Sequence, residues 1–140
     1  MLKLISTGLL ATALTLLTAG CPVNSTTTVN LVNDGDFSVD VTIYIHDDQL
    51  VLDSLIDDFG TELNYTVAAG ETTTFSRPCE DLQAIKIGDA DLQVIAGIGP
   101  DSNTGTYRDG TDFGCGDTLT FTFSHNALAT ELNINFAKTD

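Results

Sequence analysis

This sequence predicts an all-β fold, an antiparallel β-sandwich of about seven or eight strands with an immunoglobulin-like arrangement and one short helix near residues 50–59. Three observations carry that expectation. From residue 27 onward, valine, isoleucine, leucine and phenylalanine alternate with threonine, asparagine and aspartate over short stretches, the period-two pattern of strands with one buried face. Glycine, aspartate and asparagine break these stretches at turn-like intervals. Two cysteines, Cys79 and Cys115, offer one intramolecular bridge to a domain of this size. The chain has no tryptophan, so the tryptophan-on-disulfide core of antibody domains is missing, and a jelly roll or small barrel stays open.

The chain opens with Lys3, an apolar run from Leu4 to Leu17, and small residues before Cys21, the three parts of an export signal. The run is shorter than the roughly 20 apolar residues of a membrane span and is interrupted by Ser6, Thr7 and Gly8. Leu17-Thr18-Ala19-Gly20-Cys21 resembles the lipobox of bacterial lipoproteins. The resemblance implies cleavage before Cys21 and lipidation of Cys21, so that acyl chains fix the protein to a membrane. It also implies, with Pro22 rather than an aspartate after the cysteine, the outer membrane in preference to the inner. The expected organisation is a removed signal peptide over 1–20, a lipid anchor and tether over 21–26, and a single domain over 27–140.

Within that domain the first strand is expected over Thr27–Val32 and the second over Ser38–Ile45, joined by Asn33-Asp34-Gly35-Asp36 as a hairpin. Leu52, Leu55, Ile56 and Phe59 fall at helical spacing, with Asp48 as N-cap and Gly60 as stop, although Leu50, Leu52 and Ser54 also alternate as a strand would. Leu63, Tyr65 and Val67 alternate again, and Thr72–Ser76 returns after a turn at Ala68–Glu71. Val67-Ala68-Ala69-Gly70-Glu71-Thr72 resembles the V-x-x-G-E-T turn of immunoglobulin-like surface domains. Pro78 ends that strand. Leu82–Ile87 and Asp91–Ala96, apolar on both faces, read as two covered strands joined at Gly88-Asp89. Gly97–Asp117 reads as the longest irregular segment, and Thr118–Ser124 and Glu131–Phe136 as the last strands.

All 20 acidic residues follow Cys21, whereas Lys3, one of five basic residues, precedes it. So acidic a domain has no basic patch for nucleic acid or anionic lipid. Outside the cytoplasm Cys79 and Cys115 are expected to form a disulfide worth about 3–4 kcal/mol on the chain-entropy model. A zinc site is the poorer reading, because no C-x-x-C occurs and His46 and His125 lie far away in sequence.

One loop invites a sharper expectation. Asp101, Asn103, Asp109 and Asp112 bring oxygen ligands that suit calcium, although Gly105, Thr106 and Asp112 break the EF-hand pattern and the same residues also serve as turn formers. Asp47, Asp48, Asp53, Asp57 and Asp58 form a second acidic group, read as a solvated face before a metal site. Tyr107 and Phe113 are candidates for stacking on a sugar, with Phe113 also expected to pack beside the disulfide. Catalysis has little to stand on: G-x-S-x-G is absent, and Ser124 and His125 would face opposite sides of a strand. The function expected is therefore a membrane-anchored, non-enzymatic lipoprotein with a structural or protein-binding role in the envelope. The alternative is a calcium-dependent binding or adhesion module using the 101–112 loop, and after it a small enzyme.

Overall fold

The structure, a computed structural model, describes residues 25–95 and 98–140. The leader, Cys21 and the tether up to residue 24 lie outside the described residues. Nine strands and one helical turn follow in the order β1 (Thr26–Asn33), β2 (Val39–His46), α1 (Ile56–Phe59), β3 (Thr61–Val67), β4 (Thr72–Pro78), β5 (Ala84–Leu92), β6 (Asp101–Ser102), β7 (Tyr107–Arg108), β8 (Thr118–His125) and β9 (Leu132–Thr139). One sheet has the order β4-β1-β8-β9; the other runs β3-β2-β5, with β6 and β7 both pairing the far side of β5.

The alternation builds one core between the sheets. Val29 and Leu31 of β1 and Leu119, Phe121 and Phe123 of β8 meet Val39, Val41, Ile43 and Ile45 of β2 and Ile85, Ile87, Ala90 and Leu92 of β5. Each large side chain taken out of water there contributes about 1.5–3 kcal/mol. Aromatic rings close both open sides of the sandwich. Tyr65 of β3 stacks on Phe75 of β4 with centroids 5.2 Å apart, and Tyr107 of β7 stacks on Phe136 of β9 at 3.9 Å.

The connections depart from the sequence reading in ways that alternation alone does not decide. β1 and β2 form no hairpin. They lie in opposite sheets, and Asn33-Asp34-Gly35-Asp36 arches over the edge of the core. A buried face is needed either way, and the same pattern serves two strands paired side by side or facing each other. β3 and β4 are likewise split between the sheets. β4 instead pairs β1, so the connection from β3 to β4 crosses from one sheet to the other. Among the described residues every pairing between strands is antiparallel except β1 with β8, which the long chain between them permits.

Gly88-Asp89 is not a turn either. β5 runs through it as one strand, and the register against β2 slips between Thr42 and Ile43. This β-bulge shifts the inward phase from Ile85 and Ile87 to Ala90 and Leu92. Gly88 is required there, because a Cβ would run into the Tyr44 ring. The outer face of β5 is covered only at its start, where Ala84 packs with Val51, Ile56 and Tyr44. The helix shrinks to four residues for a related reason. Of the helically spaced Leu52, Leu55, Ile56 and Phe59, only Ile56 is buried, and Leu55 rather than Asp48 is the N-cap. Gly60 does end it, donating to Ile56 O.

Registers fix which loops share an end. Ser25, His46, Pro78, Ala84, Arg108, Thr118 and Thr139 stand at one end of the sandwich. The arches 34–38 and 68–71, the end of β5 at Leu92 and the connection 126–131 stand at the other.

Candidate functional site

The end where the described chain begins is the most elaborately built part of the molecule. Cys79 bonds Cys115, with Cα atoms 5.3 Å apart, within the span a disulfide requires. This ties the end of β4 to the chain entering β8. The Cys79 N–H donates to Ser25 O at 3.1 Å, so the bridge also fixes the start of β1. Phe113, 3% exposed, packs into the core near it. Asp117 organises the turn before β8: its Oδ2 accepts from the Gly114 N–H at 2.7 Å and faces Lys138 Nζ at 3.3 Å. These donors, the Gly114 N–H first, hold its carboxyl below the usual aspartate range against the opposing effect of burial.

Residues 47–60 leave β2 at this same end and fold back over the outer face of the sheet. Val51 and Ile56 anchor them against Ala84 and Tyr44. Two cations pin them further. Lys86 Nζ meets Asp57 at 2.7 Å, and Arg108 meets Asp53 at 2.5 Å while donating to Gln49 O at 2.7 Å. The acidic group expected over 47–58 is thus partly consumed in ion pairs. Asp48 Oδ1 accepts from the Leu50 N–H, and His46 Nδ1 accepts from the Asp48 N–H. The same Nδ1 lies 3.3 Å from Asp47 Oδ1. Although so well held, the segment leaves Leu50, Leu52 and Phe59 63–78% exposed.

The 101–112 segment is extended rather than curled around a centre. Asp101 sits in β6 opposite Asp91, and Arg108 in β7 opposite Ala84. Seven residues of β5 separate those points, roughly 20 Å along the strand. Asp109 and Asp112 belong to the lower end, where Asp112 Oδ2 accepts from the Arg108 N–H at 2.8 Å and closes a local turn. Asp101 and Asn103 are therefore not brought together with Asp109 and Asp112. Among the described residues no group of three or more histidine, cysteine, aspartate or glutamate side chains is placed to hold a metal ion. Tyr107 is engaged by Phe136 and Phe121, and Phe113 by the core, so neither ring is presented as a platform. The His125 ring is held between the Asp36 N–H and Asn126 O at the far end of the molecule.

A cluster that the sequence reading missed lies on the outer face of the β2-β5 sheet. Asp40 pairs with Asp91, which pairs with Asp101, and Asp89 follows two residues along β5, opposite Thr42 and just before the bulge. Asp40, Asp91, Asn64 and Thr66 line a hollow of about 250 Å³. Partial burial, and then the nearby Asp89, raise the Asp91 pKa, with Asp101 and Asp40 adding to the effect. The alternation of Asp89 and Asp91 was the available signal, obscured by taking Gly88-Asp89 for a turn.

The class these features define is an all-β, two-sheet sandwich with one disulfide. Against known proteins, the chain matches no family model and no curated protein. Among solved structures it is similar to an NMR structure of a protein from Eubacterium rectale, at 14% identity and a TM-score of 0.50, covering 86% of this chain and 99% of that one. Two further structures, titled "Trapped Toxin" and "Crystal Structure of Gram Negative Toxin", match at 14% and 11% identity, each with a TM-score of 0.43. The aligned region covers 83% of this chain in both cases, but only 24% and 23% of those larger chains. The first likeness speaks to the fold alone.

Proposed function

We propose that this chain is a membrane-anchored, non-enzymatic lipoprotein of the bacterial cell envelope, held by lipid on Cys21 and serving a structural or protein-binding role. The observation that carries the reading is Leu17-Thr18-Ala19-Gly20-Cys21 behind an apolar leader. Two features of the fold support it. The Cys79–Cys115 bridge suits a compartment outside the cytoplasm, where disulfides persist. Ser25, four residues beyond Cys21, enters the sandwich at one extreme end, which leaves the opposite end, with exposed Ile95, Ile98 and Leu128, free to meet a partner away from the membrane. The outer membrane is the preferred address because Pro22 follows the cysteine.

The test is metabolic labelling of the producing cells with an alkyne fatty acid, followed by membrane fractionation. Wild type is expected to carry label and sediment with the envelope, and Cys21→Ala to lose both. An unlabelled wild-type protein would sink the anchor, and turnover of a substrate by the purified protein would remove the non-enzymatic assignment.

A further inference from the structure

We infer that residues 47–60 form a second membrane contact, in which Leu50, Leu52 and Phe59 enter the headgroup layer of the same bilayer that holds Cys21. This rests on the lipid-anchor reading and adds to it a lipid-contacting surface.

Position is the first argument. The segment joins His46 to Thr61, both at the end where Ser25 enters. The four steps from Cys21 to Ser25 span at most about 14 Å even when fully extended. An acylated Cys21 therefore keeps this end within reach of the lipid surface.

The second argument is how the segment is held. Val51 and Ile56 are buried, and the Arg108–Asp53 and Lys86–Asp57 pairs brace the chain just before α1 and within it. Yet Leu50 is 78%, Leu52 63% and Phe59 71% exposed. A well-braced loop that leaves leucines and a phenylalanine in water matches the composition of interfacial contacts, which bury apolar side chains several ångströms into the headgroup boundary.

Charge selects the lipid. Lys86 and Arg108 offset Asp57 and Asp53, while among the described residues no lysine or arginine pairs with Asp47, Asp48 or Asp58 of the same segment. The surface therefore fits zwitterionic headgroups and disfavours anionic ones.

Because the chain contains no tryptophan, a single introduced one reports its own surroundings. Full-length acylated protein carrying Leu52→Trp, Phe59→Trp or, at the opposite end, Leu128→Trp is reconstituted into phosphatidylcholine–phosphatidylethanolamine vesicles with or without brominated acyl chains. All three positions are exposed, and matched melting temperatures confirm that the fold is kept. Bromolipid is expected to quench Leu52→Trp and Phe59→Trp at least twofold, with a blue shift on vesicle binding, and to leave Leu128→Trp unchanged. Anionic vesicles should weaken the quenching. If acylated, vesicle-bound protein leaves both tryptophans as bright in bromolipid as Leu128→Trp, the second contact is wrong and the anchor stands. A blue shift that follows protein concentration, without quenching, would assign the surface to a second copy of the chain and overturn the proposal. Failure to float with vesicles, together with a Cys21 that mass spectrometry finds unmodified, would overturn the anchor and this inference with it.

Discussion

At the end of the sandwich that carries Gly35 and Gly70, the chain turns over in short arches held by neutral polar groups; at the end that carries Ser25, connections run long and are fastened by charge and by covalent chemistry. Asn33 is the centre of the first kind. Its amide donates to Phe37 O at 2.8 Å and to Val67 O at 2.9 Å, and its Oδ1 accepts from the Gly35 N–H at 3.0 Å, so one buried side chain joins two arches. Asn126 caps the 126–131 connection in the same manner through Thr130. At the other end the fastenings are Cys79–Cys115, Asp117–Lys138, Asp53–Arg108 and Asp57–Lys86. Short arches leave few residues free and need only local hydrogen bonds. Long connections lose more conformational entropy on ordering and need cross-links to distant strands. The difference implies that reduction, salt and pH act mainly on one end, whereas single neutral substitutions act most on the other.

The largest effect is expected at the cross-linked end. Replacing both cysteines, Cys79→Ala with Cys115→Ala, removes a bridge between residues 36 apart and should cost about 3–4 kcal/mol. The check is a lowered midpoint in urea unfolding, with the slope compared to see whether the unfolded state has expanded. At the arch end, Asn33→Ala should cost about 2–3 kcal/mol, because it strands Val67 O in a buried setting and Phe37 O in a partly buried one. Asn33→Asp should be at least as harmful, since a carboxylate has no proton for either carbonyl. If Asn33→Ala proved neutral while the cysteine variant collapsed, the arches would be held by the core alone and the contrast between the ends would fail.

Much of this contrast was legible before any coordinates, and the rest had physical reasons to be hidden. Alternation located all seven long strands, with β5 read as two, and left two cysteines to pair, because period two and a single possible bridge are local facts. Which strands share a sheet is not local. Val29 and Leu31 would face a core equally well from a hairpin with β2 or from across it, and only the Asn33 arch decides. β6 and β7 are two residues each and have no period to read. Over 50–59 the helical stripe was real as spacing and misleading as burial, since Leu52 and Phe59 point to solvent while Ile56 alone reaches the sheet. The predicted oxygen ligands fell along one strand edge because Asp and Asn also serve extended edges and turns, and sequence distance says nothing of whether a loop curls.

The smallest expected effects distinguish two carboxylates of opposite sign. Asp117, at the cross-linked end, has a folded pKa below the ordinary value of 3.8, because the Gly114 N–H and then Lys138 favour its charge. Its contribution is therefore present above 3.8 and is lost as pH falls through the folded pKa. Asp91, on the outer face of β5, has a folded pKa above 3.8, through burial first and then the adjacent Asp89, Asp101 and Asp40. Its contribution runs the other way: it is complete below 3.8 and is lost as pH rises through the folded pKa, so at neutral pH the ionised side chain works against the fold. Asp91→Asn should accordingly stabilise the protein at pH 7 and make little difference near pH 3. Asp117→Asn should destabilise at pH 7, and that deficit should shrink on acidification. Subtracting wild type at each pH removes the general relief of repulsion that acid brings to a chain with a formal charge of −15. Urea midpoints of the two variants and wild type, taken from pH 3 to 7, give the comparison. Variants that shift in the same direction at pH 7 would show that the two carboxylates do not act through local hydrogen bonds and neighbouring charges, and that overall charge governs both ends alike.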